Sequence, residues 1–374
     1  MGTWAESGPG NETHPASMKL LKSSVLAAAT AALLAFPGGL RADSPELNGA
    51  SRLTLNPGAN FISVPFHKKA VHVGTVTAVT SNTVTFAGLP NWTANQFGPA
   101  TVGSASVFQY ILIVRTDAAA TPGVQGDWWV VTSNGSGTVT VDNDGQNLAA
   151  LVAVGSELEI RPMTSIQDIF GSGASVSVIP DDNFDFLTTE EDVIRVVSGT
   201  SFAGEFVYHN DTNPGDTGWY FNGDYAGDGS TLKINPNRPL MFFRKAGAAP
   251  LTIGIKGAVQ TRRLTTYLSP GANAVGTVFP VDAPIATSNL RESGWVGDTN
   301  FDILTTEEDV GRVVNGTSFG QDFFFYSGPD DVNGWYVGGE LSSAFGFEPQ
   351  KGYMLFRKSG AGDLAWRQSV PFTY

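Results

Sequence analysis

Apolar and polar residues alternate along much of the chain, and this pattern predicts short β-strands. Residues 74–88 read GTVTAVTSNTVTFAG, in which Val and Phe alternate with Thr on either side of a Ser81-Asn82 turn. Residues 127–142 read DWWVVTSNGSGTVTVD and repeat the pattern about an Asn-Gly-Ser-Gly turn. A period of two places successive side chains on opposite faces of a strand, and Asn, Gly and Ser between the runs are typical of hairpins.

Two further apolar runs, at 106–116 and 154–162, belong to the same region. Short strands at a spacing of about ten residues are typical of a small barrel or sandwich. We therefore predict a small β-barrel over residues 67–163.

A long internal repeat is the strongest single feature of the sequence. Residues 183–202, NFDFLTTEEDVIRVVSGTSF, recur at 300–319 as NFDILTTEEDVGRVVNGTSF, with 17 of 20 positions identical. A weaker match follows, because LMFFRKAGA at 240–248 corresponds to YMLFRKSGA at 353–361. Self-similarity over this length indicates that one structural unit has been duplicated.

The opening of the repeat locates the barrel relative to the two copies. LTLNPGANFISVPF at 53–66 resembles LTTYLSPGANAVGTVFP at 264–280, but only in the first copy do residues 67–163 separate this opening from the rest of the repeat. We predict an all-β fold of tandem duplicated β-sandwich-like repeats with a small β-barrel inserted in the first repeat. The expected parts are repeat 1 over 43–66 and 164–262, the barrel over 67–163, and repeat 2 over 263–374.

The repeated LTTEEDV segment carries both helix and strand signals. Thr188 and Glu191 have the spacing of a capping box, which favours a helix, whereas residues 193–197 are rich in β-branched side chains. The second copy has Gly311 where the first has Ile194, and a glycine costs about 1 kcal/mol inside a helix. We predict a helical turn over 188–192 that leads into a strand.

Residues 18–42 read MKLLKSSVLAAATAALLAFPGGLRA and predict a secretory signal peptide. Two lysines precede an apolar run that is too short for a membrane anchor, and helix-breaking Pro and Gly residues lead to a small residue at Ala42. We interpret residues 1–17 as an over-called start. The mature chain is expected to have no transmembrane segment and to be exported to the periplasm, the cell surface or the medium.

The composition narrows the classes of function. The absence of Cys removes disulfides, thiolate metal sites and cysteine nucleophiles. A formal net charge of −13 disfavours a nucleic acid or an anionic membrane surface as partner. The sequence identifies no partner; a cell-surface polymer or a glycan is the class that suits an exported acidic protein.

Both copies of the repeat contain a D-x-N-x-D motif, whose oxygen atoms suit a hard cation such as Ca²⁺. The candidate ligands are Asp181, Asn183 and Asp185 in the first copy and Asp298, Asn300 and Asp302 in the second. An EF-hand is excluded, because its sixth residue is Phe186 or Ile303 instead of Gly and its twelfth is Asp192 or Asp309 instead of Glu. Two interpretations of the motif stay open: Asx turns and strand-entry caps, which are the ordinary role of such residues, and a Ca²⁺ site of a type other than the EF-hand.

No combination of residues predicts a catalytic site. Gly316 to Gly320 fit G-x-S-x-G, but a nucleophile elbow needs a strand-to-helix turn and a histidine base. The last histidine, His209, lies in a polar segment and is expected at the surface. A pair for glycoside hydrolysis would have to come from adjacent glutamates, which usually face solvent: Glu190 and Glu191, or Glu307 and Glu308.

Tryptophans offer one further signal for a ligand. A sugar-stacking platform could be drawn from Trp92, Trp128, Trp129, Trp219 and Trp335. However, Trp219 and Trp335 follow a Gly at matching places in the two copies, which favours core anchors.

Five segments carry a resemblance to a family: PGANFISVPF, GTVTAVTSNTVTF, PNWTANQF, GDWWVVTSNG and VGSELEIRPMTSIQDIF. On these, the chain resembles an uncharacterised family of exported bacterial proteins, known mostly from Verrucomicrobia as signal-peptide-bearing conserved hypothetical proteins. The resemblance implies export and an envelope or secreted role. It implies no catalytic residue.

Two classes of function follow from these observations. The first is a non-enzymatic exported cell-envelope or extracellular β-rich protein with a structural or adhesive role, stabilised by Ca²⁺. The second is a secreted glycan-binding module or glycan-active hydrolase. A concave acidic cleft lined by tryptophans would favour the second class, and burial of those rings would favour the first.

Overall fold

The computed structural model describes residues 46–374 except 120–122, 186–187, 211–215, 330–331, 343 and 374. The signal peptide expected at 18–42 and the start expected at 1–17 lie outside the described residues. Within them the chain forms 29 strands and two short α-helices, so the all-β prediction is confirmed. No helix in these ranges is long and apolar enough to cross a membrane.

The chain begins with three strands of the first sandwich, β1 Asn48–Leu55, β2 Gly58–Ile62 and β3 Phe66–His67. It then enters the barrel region, whose elements are β4 His72–Val79, β5 Thr83–Phe86, β6 Ala100–Val102, β7 Ala105–Val107, β8 Tyr110–Thr116, β9 Trp128–Asn134, β10 Thr138–Asp142, α1 Leu148–Leu151 and β11 Glu157–Pro162.

Six of these strands close into a barrel in the order β10-β5-β4-β11-β8-β9. The alternating Val residues of the two hairpins point inward, and Val84, Val131 and Val139 are fully buried in its core. Burial of every second residue is what the period of two requires. The predicted barrel inserted in the first repeat is therefore present.

The chain returns from the barrel to the first sandwich through β12 Thr164–Ser165, α2 Ile166–Phe170, β13 Val193–Ser198, β14 Ser201–His209, β15 Gly218–Phe221, β16 Asp224–Tyr225, β17 Lys233–Ile234, β18 Leu240–Arg244 and β19 Leu251–Val259. The main sheet has the order β16-β15-β14-β13-β18-β2. Strands β1, β19 and β3 form a smaller sheet, and β12 pairs with β17.

The second sandwich consists of β20 Leu264–Leu268, β21 Gly271–Gly276, β22 Ala283–Pro284, β23 Val310–Asn315, β24 Ser318–Tyr326, β25 Gly334–Val337, β26 Glu340–Leu341, β27 Gly346–Phe347, β28 Gly352–Arg357 and β29 Leu364–Gln368. Its main sheet, β21-β28-β23-β24-β25-β26, has the strand order of the first when read from the other edge. The pairs β20-β29 and β22-β27 match β1-β19 and β12-β17.

Each sandwich has a core between its main sheet and the smaller strands. Trp219 and Trp335 lie in these two cores at equivalent positions, with exposed fractions of 0% and 6%. The expectation that they anchor the repeats is confirmed.

The outer faces of the two main sheets pack against each other. Phe61 and Met241 from the first sheet meet Met354 and Ala274 from the second. The pairs are equivalent in the two repeats, since Met241 lies opposite Phe61 on β2 and Met354 lies opposite Ala274 on β21. Room for the Phe61 ring comes from Gly352 on β28, since a Cβ built there would lie 2.6 Å from Cδ1 of Phe61.

The barrel also packs against the second sandwich. Ile111 and Ile113, on the outer face of β8, form an apolar cluster with Leu264, Val278 and Phe279. The sequence did not predict this contact, because it joins the barrel to a repeat into which the barrel is not inserted.

The contested LTTEEDV segment forms a turn at residues 188–190 and then the strand β13, as predicted. The corresponding strand β23 contains Gly311, which pairs with Phe323 on β24 where Ile194 pairs with Phe206 in the first sheet. A Cβ built on Gly311 would lie 2.0 Å from Cζ of Phe323. The Phe323 ring therefore occupies the space that a side chain at position 311 would need.

We expect Gly311→Ala to lower the free energy of unfolding by about 1–3 kcal/mol, because the added methyl group overpacks the core against Phe323. Urea denaturation measures this change. The matched control is Gly254→Ala on β19, where no atom lies within 4 Å of the added Cβ. If the two variants are equally stable, the Phe323 ring does not impose glycine at position 311.

Candidate metal centres

The first residue of each D-x-N-x-D motif forms a parallel bridge with the last residue of β14 or β24, an interior strand of its main sheet. Asp181 donates its backbone N–H to the Tyr208 carbonyl at 2.8 Å and accepts from the Asn210 N–H at 2.9 Å. Asp298 makes the same pair of bonds with Phe325 and Ser327, both at 2.8 Å. This short parallel bridge fixes each aspartate, and hence the start of each acidic loop, relative to the sheet.

One carboxylate oxygen of each aspartate closes an Asx turn. Oδ1 of Asp181 accepts from the N–H groups of Asn183 and Phe184 at 2.9 and 2.7 Å. Oδ1 of Asp298 accepts from the corresponding N–H groups at 2.8 and 2.9 Å. The Asx turn expected as the alternative is thus present, but it uses only Oδ1 and leaves Oδ2 of each aspartate available.

Each loop brings three carboxylates together. Asp181, Asp185 and Glu191 place one oxygen each within 4.8 Å of one another, and so do their counterparts Asp298, Asp302 and Glu308. We call these groups site 1 and site 2. In each site the first aspartate and the glutamate are buried, whereas the second aspartate is exposed and opens the site to solvent.

Two oxygens in each site are buried without a hydrogen bond. Oδ2 of Asp181 and Oε1 of Glu191 accept no hydrogen bond within the part of the chain that the structure describes, and the same holds for Oδ2 of Asp298 and Oε1 of Glu308. Buried polar atoms almost always have partners, and a buried carboxylate without one is costly. Two acidic clusters of this kind could hold metal ions.

The electrostatics of the sites also indicate a missing positive charge. Burial, and after it the nearby carboxylates of Asp181 and Asp185, together raise the pKa of Glu191 from 4.5 to about 7. Burial and the two aspartates of site 2 likewise raise the pKa of Glu308 to about 7. A bound cation would reverse this effect by favouring the ionised carboxylates.

The asparagines of the two motifs lie beside the clusters. Nδ2 of Asn183 donates to Oδ2 of Asp185 at 3.1 Å, and Nδ2 of Asn300 donates to Oδ2 of Asp302 at 3.1 Å. These bonds orient the exposed carboxylate of each site. The structure thus brings the four predicted aspartates together in two pairs, and ligation of an ion by the asparagines stays a prediction.

Glu191 and Glu308 were missed as ligands by the sequence reasoning, which expected adjacent glutamates to face solvent. The first glutamate of each pair, Glu190 or Glu307, is exposed, but Glu191 and Glu308 have exposed fractions of 1%. A signal was available, because the sequence TTEEDV is unchanged in both repeats although neighbouring positions differ.

The twelfth residues of the two loops have another role. Asp192 accepts hydrogen bonds from Nη1 of Arg244 and from the Lys245 backbone N–H. Asp309 forms the equivalent bonds with Arg357, at 2.8 Å, and with the Lys358 N–H, at 2.6 Å. These buried ion pairs explain why Phe-Arg-Lys recurs in both repeats, and they keep Asp192 and Asp309 out of the carboxylate clusters.

His209 corrects a further expectation. It lies at the end of β14 with an exposed fraction of 5%, so it is not a surface residue. Its Nδ1 lies 3.8 Å from Oδ2 of Asp181. The second repeat has Tyr326 at this place, so the surroundings of site 1 and site 2 differ.

The G-x-S-x-G segment and the tryptophans, the other candidates for chemistry, form a turn and core contacts. Gly316 has a φ of +62° and Ser318 begins β24, so the G-x-S-x-G segment forms a turn between two strands, as expected. The tryptophans belong to separate clusters rather than one platform, since Trp129 lies in the barrel core and Trp219 and Trp335 in the two sandwich cores.

No protein-family model, curated protein or solved structure matches this chain. The functional inference therefore depends on the chemistry of the two clusters.

The free energy of unfolding of the metal-free protein should carry a pH-dependent contribution from Glu191 and Glu308. Their folded pKa values of about 7 lie above the ordinary 4.5, so the folded state holds protons that the unfolded state releases. This contribution lowers stability as pH rises from about 4.5 through 7, and the loss is complete above that range.

Urea denaturation in metal-depleted buffer at several pH values tests this expectation. The double variant Glu191→Gln/Glu308→Gln removes the contribution, so the wild type should lose stability relative to it as pH rises. The control is Glu190→Gln/Glu307→Gln, which changes the exposed neighbours. A constant difference between wild type and the first variant across this range would contradict the assignment.

Proposed function

We propose that this protein is a non-enzymatic, exported β-rich protein of the cell envelope or extracellular space, stabilised by two Ca²⁺ ions, with a structural or adhesive role. The observation that carries the proposal is the pair of equivalent sites, each with two buried carboxylate oxygens that have no hydrogen-bond partner among the described residues.

The donor set favours Ca²⁺ over other cations. All three side chains of each site offer carboxylate oxygens, which suit hard cations rather than Zn²⁺ or Cu²⁺. Ca²⁺ accepts six to eight oxygens in irregular geometry, whereas Mg²⁺ requires a near-ideal octahedron. Water molecules can complete the shell on the open side, where Asp185 or Asp302 is exposed.

The position of the sites supports a stabilising role. Asp181 is bridged to the end of β14, and Glu191 lies two residues before β13, the neighbouring strand of the main sheet. A cation held by both would connect the two ends of the acidic loop. Because the unfolded chain does not assemble this site, binding of the ion would add to the free energy of unfolding.

The expected export agrees with this role, since extracellular modules often bind Ca²⁺ with dissociation constants of about 10⁻⁴–10⁻³ M. The alternative of a glycan-active protein with a tryptophan platform has less support, because Trp219 and Trp335 are core residues.

Calcium titration of the metal-depleted protein should show two binding sites and raise the melting temperature, and EDTA should lower it again. For each site, Ca²⁺ at a hundredfold excess over the dissociation constant contributes about 2.7 kcal/mol. Calorimetric titration and thermal unfolding measure both effects. Mg²⁺ at equal concentration should raise the melting temperature less.

Matched variants assign the sites. Glu191→Gln should remove one Ca²⁺ and Glu308→Gln the other, whereas Glu190→Gln and Glu307→Gln alter exposed neighbours and should leave both ions bound. A melting curve that Ca²⁺ and EDTA do not move, or equal losses in the two pairs of variants, would refute the proposal.

A further inference from the structure

A cleft of about 300 Å³ lies where the barrel and the two sandwiches meet. The barrel contributes Trp128, the first sandwich contributes Ser198 and the loop around Arg238, and the second sandwich contributes Tyr267. Clefts between domains are common places for small-molecule sites, and this volume is at the lower end of their range. The cleft is formed only by the assembled chain, so neither repeat contains it alone.

Among the described residues that line this cleft, Arg238 is the one with a charged side chain. Its guanidinium makes no hydrogen bond or ion pair within the described ranges, and burial lowers its pKa. Arginine stays protonated in proteins, so the cleft holds an uncompensated positive charge in a chain with a net charge of −13. The partly buried cation calls for an anionic partner.

The carboxylate that acts electrostatically on Tyr267 does not supply that partner. Asp127 lies close enough to Tyr267 to raise the pKa of its hydroxyl, although burial of the hydroxyl is the larger cause. Both oxygens of Asp127 are bound by Arg367, at 3.1 and 2.9 Å, and Oδ1 also accepts from the Thr265 hydroxyl at 2.6 Å. Its charge is therefore already compensated by another arginine.

The remaining wall of the cleft combines aromatic and polar groups. The rings of Trp128 and Tyr267 lie 6.4 Å apart at an angle of 59°, and Tyr267 is 40% exposed. Nε1 of Trp128 donates to the Thr265 carbonyl at 2.9 Å, which fixes the indole. The side chains of Asn235 and Ser198 make no hydrogen bond among the described residues and are available to a ligand.

We propose that this cleft binds an acidic saccharide, with the carboxylate of a uronic acid unit on Arg238. The guanidinium can hold a carboxylate through two parallel hydrogen bonds. The apolar face of the sugar packs on Trp128 and Tyr267, and its hydroxyls bond to Asn235 and Ser198. Simple anions lack the apolar face and hydroxyls that this wall matches. The site is separate from site 1 and site 2 and does not depend on Ca²⁺.

The test compares methyl glucuronide with methyl glucoside, which differ in a carboxylate and a hydroxymethyl group. Calorimetric titration and ligand-observed NMR on the purified protein, at low ionic strength and in metal-depleted buffer, should show at least about tenfold tighter binding of the glucuronide. The preference should decrease as salt is added. Because no metal is present, a failure of the Ca²⁺ proposal would not affect this result.

Variants identify the residues responsible. Arg238→Gln should abolish the preference for the glucuronide, and Arg238→Lys should retain part of it because the charge remains. Tyr267→Ala should weaken both sugars. The matched control is Arg52→Gln, which removes an exposed arginine outside the cleft. Thermal unfolding of each variant verifies that it is folded.

The proposal is overturned if the two sugars bind equally, if folded Arg238→Gln keeps the preference, or if Tyr267→Ala leaves the affinity for the glucuronide unchanged. It is also overturned if inorganic phosphate binds as tightly as the glucuronide, since the cleft would then be a simple anion site.

Discussion

Two adjacent buried carboxylates precede the same central strand in each sandwich, and the protein compensates them differently. Asp192 and Asp309 are neutralised by Arg244 and Arg357, which stand on the neighbouring strand. Glu191 and Glu308 face other carboxylates instead, and one oxygen of each has no hydrogen-bond partner among the described residues. A buried negative charge requires a positive one nearby. The proposed Ca²⁺ ions would meet this requirement at Glu191 and Glu308, as the arginines do at Asp192 and Asp309.

The approximate twofold relation between the sandwiches has consequences beyond the two sites. The main sheets pack face to face, and corresponding strands make reciprocal contacts, β2 with β23 and β21 with β13. The barrel breaks this relation, because it follows only β3 and packs on the second sandwich. The two carboxylate sites follow the twofold relation, whereas the cleft lined by Trp128 and Arg238 lies where the barrel meets both repeats and does not follow it.

Local patterns were sufficient to predict most of the fold. Residues 74–88 and 127–142 alternate Val with Thr, so each strand has one apolar and one polar face. The apolar face can be buried inside a barrel, which is where these Val residues lie. Segments 183–202 and 300–319 are nearly identical in sequence, and the two main sheets that contain them have the same strand order. Identical residues in the two repeats can make the same contacts. The patterns failed for His209, whose burial beside Asp181 comes from a bridge between residues 28 positions apart. They failed for Glu191 because a local pair of glutamates does not reveal which one turns inward.

The sequence by itself determined the all-β class, the repeat, the barrel and the four aspartates of the acidic loops. These depend on side-chain period, on direct identity and on closely spaced residues, all of which are local along the chain. Tertiary structure alone decided that Glu191 and Glu308 complete the clusters and that Asp192 and Asp309 pair with arginines. It also decided that Trp128, Arg238 and Tyr267 line one cleft. Those outcomes depend on which distant strands become neighbours, and burial then changes the cost of each charge.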